Sequence, residues 1–202
     1  MDWYLATNNT HKRQEFAAIF QVQAIPHALH SALEVGGMPE VDETGLTFRE
    51  NALIKAQALI DRVPACACVV ADDSGLEVDA LQGAPGVYSA RFAGLPSNDA
   101  RNNERLLREL ESLTDLSARR ARFVCVLCLL MPEREPIYLE GYCNGHIALA
   151  PSGANGFGYD PLFIPDGFIR SYAELAEVEK SQISHRARAL AEFSLFLKDL
   201  SL

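Results

Sequence analysis

The stretch CVVADDSGLEVDALQGAPGVYSARFAG, Cys68 to Gly94, follows a run of Val and Ala with two adjacent aspartates, a serine and a glycine. Like charges side by side are costly unless water, a cation or hydrogen-bond donors surround them. An ordinary strand-to-turn boundary needs only one. In an extended chain Asp72 and Asp73 point to opposite sides, so they are expected to have different jobs. One would hold structure by accepting backbone hydrogen bonds. The other would face a cleft at the strand's end, where α/β sheets place their sites. Ser74 and Gly75 would let the backbone approach a ligand closely. The reading predicts a buried strand ending at Asp72-Asp73, a shorter strand LEVDAL and a Gly/Pro loop from Gly83 to Gly86. A simple acidic turn is the plainer alternative.

Upstream, Trp3 to Thr7 reads as a short strand, followed by the polar turn NNTH and a helix from about His11, with Phe16, Ile19 and Phe20 on one face. TFRE, Thr47 to Glu50, is a capping box, and Ala52, Leu53, Ala56, Leu59 and Ile60 form the apolar stripe of the helix it opens. Asn51 and Lys55 lie on one face of that helix, away from the stripe, and are expected in solvent. Downstream, Ser97 or Asn98 caps a charged helix, and two strand-like runs, Ala121 to Met131 and Ile137 to Ala148, flank the turn PERE. A glycine-rich loop, PSGANGFGYDP, leads to closing helices, the last carrying Ala189, Phe193, Phe196 and Leu200 from Ser184 onward. Strands mix with helices without regular alternation, which predicts one α/β domain with a mixed sheet.

At 202 residues the chain suffices for one sizeable core. A net charge of −9 argues against a nucleic-acid-binding surface, which needs a basic face. It leaves room for a small phosphorylated ligand held by local cations and backbone N–H groups. The start, MDWYLATNN, has no basic or apolar leader pattern. The longest apolar run, Phe123 to Met131, is about half a membrane span. A cytoplasmic protein with no membrane partner is expected. Five cysteines, an odd number, fit a reducing compartment. Cys125 and Cys128 are an odd number apart on a strand, so they face opposite ways and cannot chelate zinc together.

Four further segments could carry chemistry. In LATNNTHK a strand, a polar turn and a helix start suit an anion, with Lys12 adding a mobile charge; an ordinary connection capped by Thr10 is the alternative. EVDETG offers Asp42 and Glu43, either a solvated turn or half of a cation site, and carboxylates with phosphate partners suggest Mg²⁺ (Mg2+). NGFGYDP sets Phe157 and Tyr159 among glycines, a stacking platform for a base or a loop-packing pair. EKSQISHR gathers Lys180, Ser184, His185 and Arg186 at a helix start, against the macrodipole, a broken local rule of the kind found at functional sites.

In order and spacing, LATNNTHK, ETGLTFRENALIKA, ADDSGLEVDALQGAPGVYSARFAG, GFGYDP and EKSQISHRARAL resemble the inosine triphosphate pyrophosphatase family over nearly the whole chain. The resemblance implies residues 1–202 as a single elongated domain with a twisted mixed β-sheet flanked by helices, a cleft between two lobes, and a homodimer. It implies hydrolysis of ITP, dITP and XTP to the monophosphate and pyrophosphate with Mg²⁺, clearing deaminated purines from the nucleotide pool. Carried onto this chain, Thr7, Asn8, Asn9, Thr10, His11 and Lys12 resemble the triphosphate-binding turn, assisted by Lys55 and Ser74. Asp42 or Glu43, with Asp73, resemble the metal carboxylates, and Asp73 the general base. Phe157 looks like the residue stacking on the purine, Gly158, Tyr159 and Asp160 complete that wall, and Lys180, His185 and Arg186 match base-edge readers. Asn8 stands where the family often has Gly; if the position needs a positive φ, Asn is the best substitute. A nucleotide sensor that does not hydrolyse, and a pyrophosphatase of this fold for another modified nucleotide, are the rival readings.

Overall fold

A computed structural model describes residues 2–22 and 27–200. Six strands form one mixed sheet: β1 (Asp2–Leu5), β2 (Ala28–Ser31), β3 (Cys68–Val78), β4 (Arg120–Leu130), β5 (Ile137–Ile147) and β6 (Phe163–Pro165), in the order β2-β1-β3-β4-β5-β6. β1 runs parallel to both β2 and β3, with Trp3 opposite Cys68 and Leu5 opposite Val70, and β6 is antiparallel to β5. The helices are α1 (Thr10–Val22), α2 (Phe48–Ile60), α3 (Asp99–Glu109), α4 (Glu177–Ile183) and α5 (His185–Leu200). The mixed α/β architecture matches expectation. The chain divides into two compact units: Met1–Ser74, Cys125–Gly141 and Arg186–Leu202 form the first, Gly75–Val124 and Tyr142–His185 the second.

In the first unit, strand periodicity builds two apolar layers. Cys68 and Val70 of β3 join Phe16 and Ile19 of α1 and Ala189 and Phe193 of α5. Trp3 meets Phe193 edge-on at 4.8 Å. Val69 and Ala71, one residue out of step, join Ala52, Ala56 and Leu59 of α2. β4 repeats the split, Cys125 in the first layer and Cys128 in the second, so the two thiols do face opposite ways. Burial pushes both up to about 12, Asp72 adding to the shift at Cys125, and keeps them protonated.

The second unit packs Leu106 of α3, Leu110 at its C-cap and Phe123 of β4 against Leu76, Val78, Phe163 and Tyr172. Arg119, 2% exposed, donates to four carbonyls, those of Leu110, Leu113, Ile147 and Ala148, at 2.8–3.0 Å.

Three expectations change. β3 does not end at the aspartates; it continues from Cys68 to Val78, and LEVDAL is its second half. Asn9, not Thr10, caps α1: its Oδ1 accepts from Lys12 N at 3.1 Å. Asn8 is not among the positive-φ residues, so asparagine there needs no special backbone explanation. The capping box at Thr47 and Glu50 and the cap at Asn98 are present.

Candidate active site

Because β3 stays extended through Asp72 and Asp73, the two carboxylates fall on opposite faces. Asp72 follows Cys68 and Val70 onto the α1/α5 side and is 1% exposed. Taking a carboxylate out of water costs several kcal/mol, on the order of 5, unless cations and donors surround it. Lys12 Nζ lies 2.9 Å from its Oδ2, Arg186 Nη2 3.3 Å away, and Ser74 Oγ donates to it at 3.1 Å. Arg186, 1% exposed, also donates to Ser74 Oγ at 3.1 Å and pairs with Glu15 of α1. Burial alone would raise the Asp72 pKa, but Lys12, Arg186 and Lys55 more than offset it and hold the carboxyl far below the usual range. Asp72 is therefore a fixed anion. Its Oδ1 has no hydrogen-bond partner among the described residues.

Asp73 follows Val69 and Ala71 onto the α2 side. Lys55 Nζ sits 2.6 Å from its Oδ1, 3.2 Å from Glu43 Oε1, and donates to the Asp72 carbonyl at 3.2 Å. Asn51 Nδ2 donates to Asp73 Oδ2 at 3.3 Å, while Asn51 Oδ1 accepts from Gly45 N at 2.8 Å. One amide thus ties the 42–45 loop to α2 and to Asp73. Asn51 and Lys55 are not in solvent, as their spacing suggested; Asn51 is fully buried, because Asp73 supplies the polar partner that the face away from the stripe required. Here burial dominates: the Asp73 pKa is raised despite Lys55, whose own pKa is raised by Asp73, Asp72 and Glu43 against its burial. Asp42 is exposed and its carbonyl accepts from Thr44 N at 2.9 Å, while Glu43 reaches Lys55 beside Asp73, so Glu43 is the acidic loop residue brought to Asp73.

The phosphate-turn candidates form a hydrogen-bonded hook. Thr7 Oγ1 accepts from Asn9 N at 3.1 Å, and Asn8 Nδ2 donates to the Met38 carbonyl at 3.1 Å. Thr10 and His11 are exposed in the first turn of α1, and Lys12 reaches Asp72 from that turn.

The second unit gathers the remaining candidates apart from Arg186, which belongs to the first. Asp160, 3% exposed, accepts from Phe157 N at 2.9 Å and pairs with Lys180 Nζ at 2.7 Å. That ammonium lies 5.3 Å from the centre of the half-buried Phe157 ring. Tyr159 is a core residue whose hydroxyl donates to the Ser89 carbonyl at 2.8 Å, anchoring the loop. His185, also buried, stacks on Phe123 at 4.8 Å. Arg186 is placed with Asp72 and Glu15. Gly158 is gripped by two α3 residues that the sequence reading did not single out, Asp99 and Asn103.

Glu43 and Asp73 supply hard oxygens around one ammonium. Among the described residues no group of three or more His, Cys, Asp or Glu side chains forms a metal cage. That donor set fits Mg²⁺, which binds through one or two carboxylates and completes its shell with water and substrate phosphates.

The sequence model of the Ham1 family matches residues 3–196. The chain belongs to the Ham1 family. Among Ham1-family relatives, a dITP/XTP pyrophosphatase of Geobacillus kaustophilus is 49% identical, over 93% of this chain and 90% of the relative. One of Oceanobacillus iheyensis is 44% identical over 96% of each. The solved structure of a HAM1 protein from Coxiella burnetii superposes with a TM-score of 0.86 at 38% identity, covering 98% of this chain and 99% of that one. Among the described residues of this Ham1-family chain, no helix is long and apolar enough to cross a membrane.

Proposed function

We propose that this chain hydrolyses non-canonical purine nucleoside triphosphates, ITP, dITP and XTP, to the monophosphate and pyrophosphate, and that residues 1–202 act as one catalytic domain. The observation that carries the reading is the division of labour at Asp72 and Asp73: one buried carboxylate fixed as an anion by Lys12 and Arg186, its neighbour lifted in proton affinity beside Lys55. The names of the relatives supply the substrate class.

Cleaving the α–β phosphoanhydride asks for positioning and charge neutralisation more than covalent chemistry. The water oxygen bonds to the α-phosphorus, the bond to the bridging oxygen breaks, and its electron pair leaves with pyrophosphate. Asp73 orients the water and accepts its proton, help typically worth ~10²–10⁴-fold. Lys12, already in the first turn of α1, and Lys55 neutralise the triphosphate, with Ser74 and the 7–11 turn as donors. Mg²⁺, held by Glu43 and Asp73 with the substrate's phosphates, would withdraw further charge from the leaving group.

On the second unit, Phe157 stacks on the purine and Lys180 donates toward a 6-oxo group. Adenine presents a 6-amino donor there and leaves the ammonium unmatched. Sites that hydrogen-bond a substrate group reject an analogue lacking it by ~10⁴-fold or more. His185 and Arg186 act through the groups they pack on, Phe123 and Asp72, a role their buried positions support. We further place the protein in the cytoplasm as a homodimer, to be checked by fractionation and by sedimentation.

The test is pyrophosphate release from ITP, dITP, XTP, GTP, ATP and dUTP with and without Mg²⁺. Mg²⁺-dependent release from the inosine and xanthosine compounds alone is the expected result. No release from any of them by folded protein would discard hydrolysis in favour of a sensor. Release from dUTP alone would move the substrate to another modified nucleotide.

A further inference from the structure

We infer that Asp99 and Asn103 are positioning residues that aim the Phe157 ring at the purine; the inference rests on the functional reading above. Gly158, which follows Phe157, has φ +62, a left-handed backbone that L side chains rarely adopt. A Cβ at this glycine would meet nothing within 4 Å, so the conformation and not space selects the residue. Glycine takes up this backbone without strain but is equally free to leave it, and α3 restricts that freedom at both polar groups. Gly158 N donates to Asp99 Oδ2 at 2.7 Å, and Asn103 Nδ2 donates to the Gly158 carbonyl at 2.9 Å. The two side chains are four residues apart, one above the other on a single helical face.

The clamp is anchored firmly. Asn98 caps α3 by accepting from Arg101 N at 2.9 Å. Asn102 holds the preceding segment through Ala93 N at 2.7 Å and the Ala90 carbonyl at 3.0 Å, and Leu106 and Leu110 are fully buried below. On its other flank the loop is fixed by Asp160, which takes Phe157 N and Lys180 together. The ring is thus the half-exposed member of a segment whose backbone is pinned on both sides. A base stacking there meets an ordered platform and loses less freedom on binding.

Asp99→Ala and Asn103→Ala are therefore expected to raise the KM for ITP about 5–10-fold each, with kcat within about twofold, since the phosphate and water machinery is untouched. Asp99→Asn keeps an acceptor oxygen and should stay within about twofold of wild type. In a Phe157→Ala background, Asp99→Ala should add less than about twofold, because both changes remove the same platform. Hydrogen exchange at Gly158 should quicken in Asp99→Ala while the Tm moves little. A full-sized Asp99→Ala effect in the Phe157→Ala background, an effect on kcat alone, or wild-type exchange at Gly158 in Asp99→Ala would each overturn the inference. Absence of ITP turnover in wild type would instead sink the functional reading, and the exchange measurement would still decide whether α3 holds the loop.

Discussion

Two neighbouring aspartates on one strand meet opposite fates. Asp72 faces α1 and α5, where Lys12, Arg186 and Ser74 converge on a single oxygen, and Lys12, Arg186 and Lys55 overcome its burial to depress its pKa. Asp73 faces α2, where Lys55 and Asn51 serve it, yet burial wins and its pKa rises. The residues are identical, and both are almost fully buried. What differs is how many cations each face sends and from which helix. A strand's two-residue period turns one repeated letter into two carboxylates of opposite proton affinity, the pair proposed above as anchor and base.

The largest effect separating the two faces is on turnover. Asp73→Asn should lower kcat for ITP by ~10²–10⁴-fold, the range for loss of a general base, with the Tm no lower than wild type. A variant retaining more than about a tenth of wild-type kcat would remove Asp73 from the reaction and erase the contrast.

Asp72→Asn should do the reverse in stability. Removing one member of a buried charge network leaves Lys12 and Arg186 undercompensated, at a cost of about 3 kcal/mol. For a chain of this length that lowers the Tm by roughly 6–12 °C. Arg186 keeps Glu15 as a partner, so the loss stays at the lower end of the range for such pairs. An unchanged melting curve would mean that Asp72 anchors nothing.

A smaller effect follows from the signs of the two shifts, measured by melting metal-free protein across pH. The folded pKa of Asp72 is lowered, so its stabilisation is complete above the unfolded carboxylate value of about 3.9 and disappears as pH falls toward the folded value. The deficit of Asp72→Asn should accordingly persist from pH 7 down to about 4 and close only in stronger acid. The folded pKa of Asp73 is raised, so its contribution is present below the unfolded value and lost as pH rises through the folded one. Asp73→Asn should be at least as stable as wild type at pH 7, with the gap narrowing as pH falls. Parallel curves for the two variants would contradict the opposite signs.

How much of this was legible follows from where each residue's partners lie in the chain. The alternation of Asp72 and Asp73 is local, and so is the box at Thr47 to Glu50; both are visible in a few letters. The continuation of β3 through the two charges was not, because what neutralises Asp72 comes from Arg186, 114 residues away. Read locally, paired carboxylates end a strand. Local spacing assigns Asn51 to solvent for the same reason: Asp73, 22 residues on, is what makes its burial favourable. β2 and β6, four and three residues long, are too short to show a period. Asp99 and Asn103 carried no motif at all, since their job is to hold another residue's backbone.

The smallest effect tests whether each face can be disturbed through its own helix. α1 brings Lys12 to Asp72, and its cap is Asn9, which accepts from Lys12 N itself. α2 brings Asn51 and Lys55 to Asp73, and its cap is Thr47, which accepts from Glu50 N at 3.2 Å while Glu50 Oε2 returns to Thr47 N at 3.0 Å. Replacing such a cap by alanine costs about 1 kcal/mol, so Asn9→Ala and Thr47→Ala should each lower the Tm by only a few degrees, roughly 2–4 °C. The kinetic consequences should part company. Fraying the start of α1 loosens the ammonium and backbone donors assigned to the triphosphate, so Asn9→Ala should raise the KM for ITP severalfold. Fraying α2 loosens Asn51, one turn into the helix, and with it the orientation of Asp73, so Thr47→Ala should lower kcat by about twofold to threefold with KM nearly unchanged. If both variants moved the same kinetic constant, the two faces of β3 would be one electrostatic unit, and the division between anchor and base would have to be given up.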